Sequence, residues 1–167
     1  MAYLLDANVF IQAKNLQYGF DFCPAFWDWL AQAYGDGRLR SIRHIGDELS
    51  AGGDELAAWA DGLQDGFFLA PDAAVLVAAQ QVSAWVLQQG YEPAAVNTFF
   101  QVADFWLVAA ALAGHHTVVT HEVAAPSAKK IKIPNVCVGL GVEFMSPYQM
   151  LRKEQARFVL GVKPAAI

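Results

Sequence analysis

The chain opens with MAYLLDANVFI, residues 1–11, in which an apolar run ends at Asp6, a polar side chain follows at Asn8, and apolar residues resume. Strands buried in a parallel sheet are nearly continuous apolar runs, and ligands bind beyond their carboxyl ends. We therefore predict a buried strand over residues 2–5, with Asp6 facing a crevice at the edge of the sheet. A lone aspartate after a strand also serves as a helix N-cap, so distant parts of the chain must support this interpretation.

Length and composition favour one domain of ordinary size with a substantial core. Of the 167 residues, 56% are hydrophobic and 16% are charged, which argues against long disordered segments. We expect a single domain over residues 1–167. The most apolar stretch, residues 105–119, includes His115 and His116 and falls short of the roughly 20 apolar residues of a membrane-spanning helix. The start of the chain does not show a basic segment followed by an apolar leader, so we expect a cytoplasmic protein that does not enter a membrane.

Cysteine and histidine patterns favour neither a disulfide framework nor a zinc site. Two cysteines, Cys23 and Cys137, are too few for such a framework, and buried thiols are the expected state of both. The histidines show no paired spacing of zinc ligands. They are His44, His115, His116 and His121.

The net charge of −5 is unusual for a nucleic-acid-binding protein, which normally carries a basic surface. The positive charges are nevertheless clustered. If the acids bind divalent cations, these clusters are free to contact phosphates, although solvated surface patches explain them equally well. The three clusters are Arg38, Arg40 and Arg43; Lys129, Lys130 and Lys132; and Arg152, Lys153 and Arg157.

Predicted strands alternate with predicted helices along the chain. The predicted strands are residues 2–5, 39–42, 67–69, 117–120, 136–138 and 142–144. The predicted helices are residues 9–14, 24–34, 43–49, 54–63, 71–89, a stretch from Pro93, a segment from Asp104 to Leu112, and 147–159. This alternation is typical of an α/β fold, a three-layer α/β/α sandwich with a mainly parallel central sheet.

Carboxylates recur where predicted strands meet helices or loops. Asp6 ends the first strand, Asp47 and Glu48 lie on the helix after the second, Asp104 precedes a fully apolar helix, and Glu122 follows the strand at 118–120. Each has a simpler explanation, such as a favourable helix dipole for Asp104. Together they converge on one edge of a parallel sheet, where carboxylates repel one another unless hard cations bind. Such an oxygen-lined site suits Mg²⁺ or Mn²⁺.

The order of these motifs resembles the PIN (PilT N-terminal) domain nucleases, the fold of the VapC-type toxin ribonucleases. The matching stretches are LLDANVFI (4–11), DEL (47–49), ADFWLVAAA (103–111) and VVTHE (118–122). Further stretches resemble an uncharacterised PIN-like branch common in bacteria. These are PAFWDWL (24–30), KIKIPNVC (130–137) and YQMLR (148–152).

The resemblance implies a metal-dependent endoribonuclease that hydrolyses RNA phosphodiester bonds. The implied catalytic and metal-binding acids are Asp6, Glu48, Asp104 and Glu122, with Mg²⁺ or Mn²⁺ as the cofactor. Asp47 is an alternative to Glu48, and Glu122 stands where the family usually has an aspartate.

The residues assigned to substrate binding and polar support of the site are Asn8, Thr120, Lys129, Lys130 and Lys132, since lysine serves as a point charge for phosphate. The resemblance also implies a toxin that a cognate antitoxin protein neutralises, and a homodimer.

Three other functions remain open at this point. A Mg²⁺-dependent phosphatase with an aspartyl nucleophile would have a second aspartate at position 8, where this chain has Asn8. A DNA nuclease would use the same acids. A non-catalytic PIN-like module would bind a partner, and its interface would be indicated by exposed tryptophans, whereas packing in the core is their simpler role. The sequence has no phosphate-binding loop ending in Gly-Lys-Ser/Thr, so it gives no indication of an NTPase.

Overall fold

The computed structural model describes residues 1–63 and 65–161. Its strands are β1 (Tyr3–Leu5), β2 (Leu39–Ile42), β3 (Phe68–Leu69), β4 (Thr117–Val119) and β5 (Phe144–Met145). Within the described residues these five strands form one sheet in the order β3-β2-β1-β4-β5, and every neighbouring pair is parallel. Residues 64 and 162–167 of the predicted domain lie outside the described residues.

Helices connect successive strands and flank the sheet, so the predicted three-layer α/β sandwich with a parallel sheet is confirmed. A π-helical turn over Ala13–Gln17 continues the first helix. The helices are α1 (Ala7–Gln12), α2 (Pro24–Gly35), α3 (Arg43–Ser50), α4 (Glu55–Asp61), α5 (Ala73–Leu87), α6 (Pro93–Gln101), α7 (Ala103–Gly114), α8 (Ile133–Leu140) and α9 (Pro147–Lys153).

Strand β1 lies at the centre of the sheet and determines where the carboxylates lie. Its residues pair with β2 on one side and β4 on the other, and Leu4 and Leu5 are fully buried. This burial on both faces explains the unbroken apolar run, because a polar side chain here would lose its hydration. Where β1 ends, the chain enters α1 at Asp6, so this side chain emerges at the carboxyl edge of the sheet.

Helix α7 explains the most apolar stretch of the sequence. Phe105 and residues 107–111 are buried, as the absence of a polar face in this segment predicts. Among the described residues, no single helix is long and apolar enough to cross a membrane. Helices α6 and α7 reach that length only as a pair, and the pair is bent by 70°.

The tryptophans pack against the core. Trp27 is buried, and the remaining four are half-buried and contact buried residues, so none is an exposed interface residue. Core packing, the simpler of the two roles, is confirmed for Trp27, Trp29, Trp59, Trp85 and Trp106.

Two segments near the carboxyl end differ from the prediction. Residues 136–138, predicted as a strand, belong to α8, which begins beside Pro134 and ends at Gly141 in the left-handed conformation with φ of 69°. Helix α9, predicted to reach Val159, ends at Lys153, and Gln155 follows with φ of 54°. The strand predicted over residues 142–144 is β5, which begins at Phe144.

Helix α8 packs so tightly that it gives a test of the fold. A Cβ atom on Gly139 would clash with Cζ2 of Trp85 on α5, so the indole would have to move. We expect Gly139→Ala to lower the free energy of unfolding by about 1–3 kcal/mol, measured by urea denaturation. The control is Gly35→Ala, because nothing lies within 4 Å of a Cβ at that helical position. A Gly139→Ala protein as stable as the Gly35→Ala protein would contradict this packing.

Candidate active site

The backbone holds Asp6 at a fixed point on the carboxyl edge of the sheet. Its N–H donates to the carbonyl of Val119, the last residue of β4, at 2.9 Å. The buried hydroxyl of Ser41 on β2 donates to the carbonyl of Leu5 at 2.6 Å. The residue before Asp6 is therefore tied to β2, and Asp6 itself is tied to β4. The carboxylate is 4% exposed, so its charge is largely removed from water.

A side-chain network from the β4 edge supports the Asp6 carboxylate. The Thr120 hydroxyl donates to Asp6 Oδ2 at 2.7 Å and accepts from Asn8 Nδ2 at 3.2 Å and from the N–H of Glu122 at 3.0 Å. Asn8 Oδ1 accepts the N–H of His121 at 3.2 Å. Asn8 and Thr120 thus orient Asp6 and the following turn, in the supporting role that the resemblance implies.

Burial and mutual repulsion perturb two of the predicted acids. Burial raises the pKa of Asp6 to about 7, aided by the charges of Asp104 and Glu122 and opposed by the Thr120 hydrogen bond. Burial likewise raises the pKa of Asp104 to about 6, aided by the charges of Glu122 and Glu48, while nearby Lys130 lowers it. Each of the four acids therefore acts electrostatically on at least one other, although they come from distant parts of the chain.

Three of these acids border one open pocket. Glu48 on α3, Asp104 on α7 and Glu122 after β4 line a cavity of about 810 Å³, and Lys129 and Lys130 line it as well. Cationic and anionic groups thus border the same space. Such a combination is suited to a ligand that carries phosphate and is bound with metal ions.

The structure distinguishes Asp47 from Glu48. Asp47 lines a different cavity, together with Arg43 and Asp61, whereas Glu48 lines the acidic pocket with Asp104. Adjacent residues on a helix point about 100° apart, so only one of the two carboxylates faces this pocket. Glu48 is the acid whose position fits the predicted site.

Glu122 is occupied by partners of its own. Its Oε2 accepts the N–H of Ile133, the first residue of α8, at 2.8 Å, and its Oε1 lies 3.6 Å from Nζ of Lys132. The carboxylate therefore holds the start of α8. Lys132, one of the three lysines predicted to bind substrate, pairs with this acid, and Lys129 and Lys130 are the two that line the pocket.

The donor chemistry of the site and its arrangement point in different directions for a metal ion. Carboxylate oxygens are the donors that Mg²⁺ and Mn²⁺ prefer, and burial first, then repulsion by the other acids, raises the pKa values of Asp6 and Asp104. In residues 1–63 and 65–161, however, no three Asp, Glu, His or Cys side chains are grouped closely enough to hold an ion together. The contacts of Glu122 explain part of this, because both of its oxygens face other groups.

Sequence reasoning missed the roles of three residues at or beside this site, namely Ser41, His44 and Trp106. Ser41 supports the end of β1, and only its small polar side chain in an otherwise apolar strand signals this role. His44 lines the acidic pocket and stacks on Trp106 with ring planes 6° apart. His44 and Trp106 are remote from each other in the chain, and no spacing pattern connects them.

The Thr120 hydrogen bond gives a prediction about the titration of Asp6. A hydroxyl that donates to a carboxylate stabilises its ionised form, so Thr120→Val should raise the pKa of Asp6 further, by about one pH unit. The measurement is a carbon-13 NMR titration of the Asp6 carboxyl carbon. Thr117→Val is the matched control, since that hydroxyl bonds to Glu143 at the other end of β4. An unchanged Asp6 titration in Thr120→Val would show that this hydrogen bond is absent in solution.

The fold and the pocket define a class: a parallel α/β sandwich with an acid-lined pocket at the carboxyl edge of its sheet. Residues 3–158 match a protein family described as a domain of unknown function, DUF4411, and the chain belongs to that family. No curated protein and no solved structure matches the chain.

Proposed function

We propose that this protein is a Mg²⁺- or Mn²⁺-dependent endoribonuclease of the PIN type, acting in the cytoplasm as the toxin of a toxin–antitoxin pair. One observation carries the proposal. Four carboxylates remote in the chain act on one another at the carboxyl edge of a parallel sheet, and burial and repulsion raise the pKa of Asp6 to about 7. An arrangement that disfavours its own charge gains most from a divalent cation.

In this proposal Asp6, Glu48, Asp104 and Glu122 would hold the metal once it draws them together, because no three of them in the described residues are grouped closely enough to do so without it. When bound, Mg²⁺ or Mn²⁺ activates a water and stabilises the charge that develops on a phosphate. Thr120 fixes the Asp6 carboxylate through the 2.7 Å hydrogen bond. This preorganisation matters because a displaced carboxylate would have to be reoriented during the reaction.

Two lysines of the pocket bind the RNA backbone in this proposal. Lys129 and Lys130 lie on the loop between β4 and α8, and both are exposed at the pocket that Asp104 and Glu48 line. An ammonium group attracts a phosphate without reading sequence. The overall charge of −5 would repel RNA, so these two side chains supply the local attraction that places a phosphate near the acids.

The experiment is cleavage of end-labelled single-stranded RNA with Mn²⁺ or Mg²⁺, repeated with EDTA. We expect cleavage only with the metal. Glu48→Gln should lose most of the activity, whereas Asp47→Asn should keep it, because Asp47 lines another cavity. Equal loss in both variants would contradict the assignment of Glu48, and cleavage that persists in EDTA would contradict the metal requirement.

The same assay separates the alternative functions. Cleavage of DNA of the same sequence at a higher rate than RNA would indicate a DNA nuclease. Release of phosphate from a monoester, without cleavage of either polymer, would indicate a phosphatase. If metal produces no reaction with any of the three substrates, the nuclease proposal fails and the non-catalytic module replaces it.

The proposal includes a second copy of the chain as a partner. Helix α5 carries no charged residue and exposes Leu76, Val77 and Leu87, which are 52%, 58% and 66% exposed. A homodimer that buries this face would remove their apolar surface from water. Light scattering should then give twice the monomer mass of 18.2 kDa. A monomeric mass at high concentration would refute the homodimer, leaving the face for the antitoxin.

A further inference from the structure

Two stacked aromatic rings lie next to the acidic pocket, and one of them, His44, forms part of its wall. His44 on α3 and Trp106 on α7 have ring centroids 4.9 Å apart and planes at 6° to each other. Both residues are half-buried. His44 lines the acidic pocket, and together with Trp106 it also lines a neighbouring, mainly apolar cavity of about 140 Å³. His44 therefore borders both cavities, whereas Trp106 borders the apolar one.

The imidazole of His44 has no partner of its own beyond this stacking. It makes no hydrogen bond to any residue in the described parts of the chain, and no buried side-chain nitrogen or oxygen there lacks a partner. Its ring nitrogens are thus not fully buried, and its side chain lines the open pocket. A flat ring held in place by a tryptophan and open to a pocket is suited to bind a second flat group.

The pair lies beside the acids of the candidate site. His44 and Glu48 are one helical turn apart on α3, so their side chains are neighbours on one helix face. Asp104 on α7 lines the same pocket as His44 and Glu48, whereas Trp106, two residues further along α7, lies behind the His44 ring. Lys130 lines the pocket as well, and its charge lowers the pKa of Asp104. A ligand that touched all of these groups would need a flat ring and an adjacent anion.

We propose that one nucleobase of the RNA stacks on the His44–Trp106 pair and thereby positions the neighbouring phosphate at the acids. The inference rests on the proposed nuclease function and adds a specificity determinant to it. A base within a duplex is already stacked and paired, so this platform selects an unpaired nucleotide next to the cleaved bond. Stacking tolerates any base, and the selection is therefore for strand state more than for sequence.

The experiment scans a single-stranded RNA substrate with one abasic site at each position near the cleavage point. In the wild-type protein we expect one position at which loss of the base raises KM about 10-fold, the effect of one stacked base, while kcat stays the same. His44→Ala should raise KM for intact RNA by a similar factor and lose the sensitivity to that abasic position. His44→Phe should restore both, because a phenyl ring also stacks.

The matched control is His115→Asn. His115 is exposed at the far end of α7 with φ of 52°, a conformation that asparagine tolerates. This variant should behave as the wild type. Circular dichroism of each variant checks the fold. Retention of the abasic sensitivity in a folded His44→Ala protein would overturn the platform, and so would failure of His44→Phe to restore it.

A binding measurement separates failure of this inference from failure of the nuclease proposal. Fluorescence anisotropy of the same RNA series on Asp6→Asn protein requires no cleavage. If no RNA is cleaved but one abasic position weakens binding in a manner that depends on His44, the platform stands and the nuclease function falls. If the wild type cleaves RNA but no abasic position weakens binding in this way, the nuclease function stands and the platform falls.

Discussion

Replacing Asp6 by asparagine is expected to reduce RNA cleavage by at least about 100-fold, the loss typical of removing one preorganised electrostatic group. Asparagine has the same shape, and its Oδ1 accepts the Thr120 hydrogen bond in place of the carboxylate. The negative charge, however, is lost, and with it the affinity for a divalent cation. Initial rates with saturating Mn²⁺ measure the effect.

The same substitution should leave the fold intact and make it more stable at neutral pH. Asp6 is 4% exposed and lies near other acids, so a neutral side chain removes an unfavourable buried charge. Thermal melting checks this, and the control is Asp28→Asn, whose side chain is exposed on α2. A stable Asp6→Asn protein with near-normal cleavage would refute the catalytic assignment. A protein that does not fold would refute the account of the buried charge.

The second large effect is a loss of stability as pH rises in the absence of divalent cations. The pKa of Asp6 is about 7 in the folded protein against 3.8 when unperturbed, so between these values the folded state holds a proton that the unfolded state has released. Its contribution is complete below the unperturbed value and disappears as pH passes the folded value. The total loss is on the order of 4 kcal/mol. Asp104, with a pKa of about 6, contributes in the same direction.

The comparison of wild type with Asp6→Asn isolates this effect. Burial lowers the pKa values of His116 and His121, which adds an opposing dependence on pH in both proteins and cancels in the difference. Urea denaturation in EDTA, at pH values from about 4 to 8, gives the free energy of unfolding. Adding Mn²⁺ at the upper end should restore stability, by about 2.7 kcal/mol at 100 times its Kd. Equal pH dependence in the two proteins would contradict the raised pKa of Asp6.

The strands next to Asp6 and Thr120 were predictable because burial on both faces leaves a simple signature. An apolar run that stops at a polar residue marks the end of a central strand, and β1 follows this pattern. Strand β4 was predicted from its β-branched residues over 117–120, one residue longer than it is. The parallel order then brings their carboxyl ends together without any knowledge of side-chain packing. This order accounts for the proximity of Asp6 to the end of β4, whereas the supporting role of Thr120 was an implication of the resemblance.

Helix α8 was not predicted because two of its residues carry the signature of a strand. Val136 and Val138 favour strands by their branching, and this local preference dominated the prediction. The helical signals were present nearby: Pro134 suits a first turn and Gly141 suits a left-handed C-cap. A strand would place Val136 and Val138 on the same face, whereas the helix buries Val136 and Cys137 and leaves Val138 exposed.

The contacts of Glu122 and of His44 depend on packing that no local pattern encodes. Glu122 binds the N–H of Ile133 because the loop between them folds back. The hydrophobic periodicity of a sequence predicts helices and strands but not the path of a loop. His44 meets Trp106 only because α3 and α7 are in contact. The sequence therefore identified the acids, but not the groups that hold them or the ring beside them.

The hydrogen bond from Ile133 to Glu122 closes the intervening loop into a ring, since donor and acceptor are 11 positions apart in the chain. A second bond, from the N–H of Ala125 to Asn135 Oδ1, ties the same loop across its width. Lys129 and Lys130 thus lie on a loop whose backbone is already ordered in the folded protein. An anion that binds these lysines therefore does not have to order that segment, so less conformational entropy is lost on binding. A longer loop would lose this contribution to affinity, even if it kept every charge.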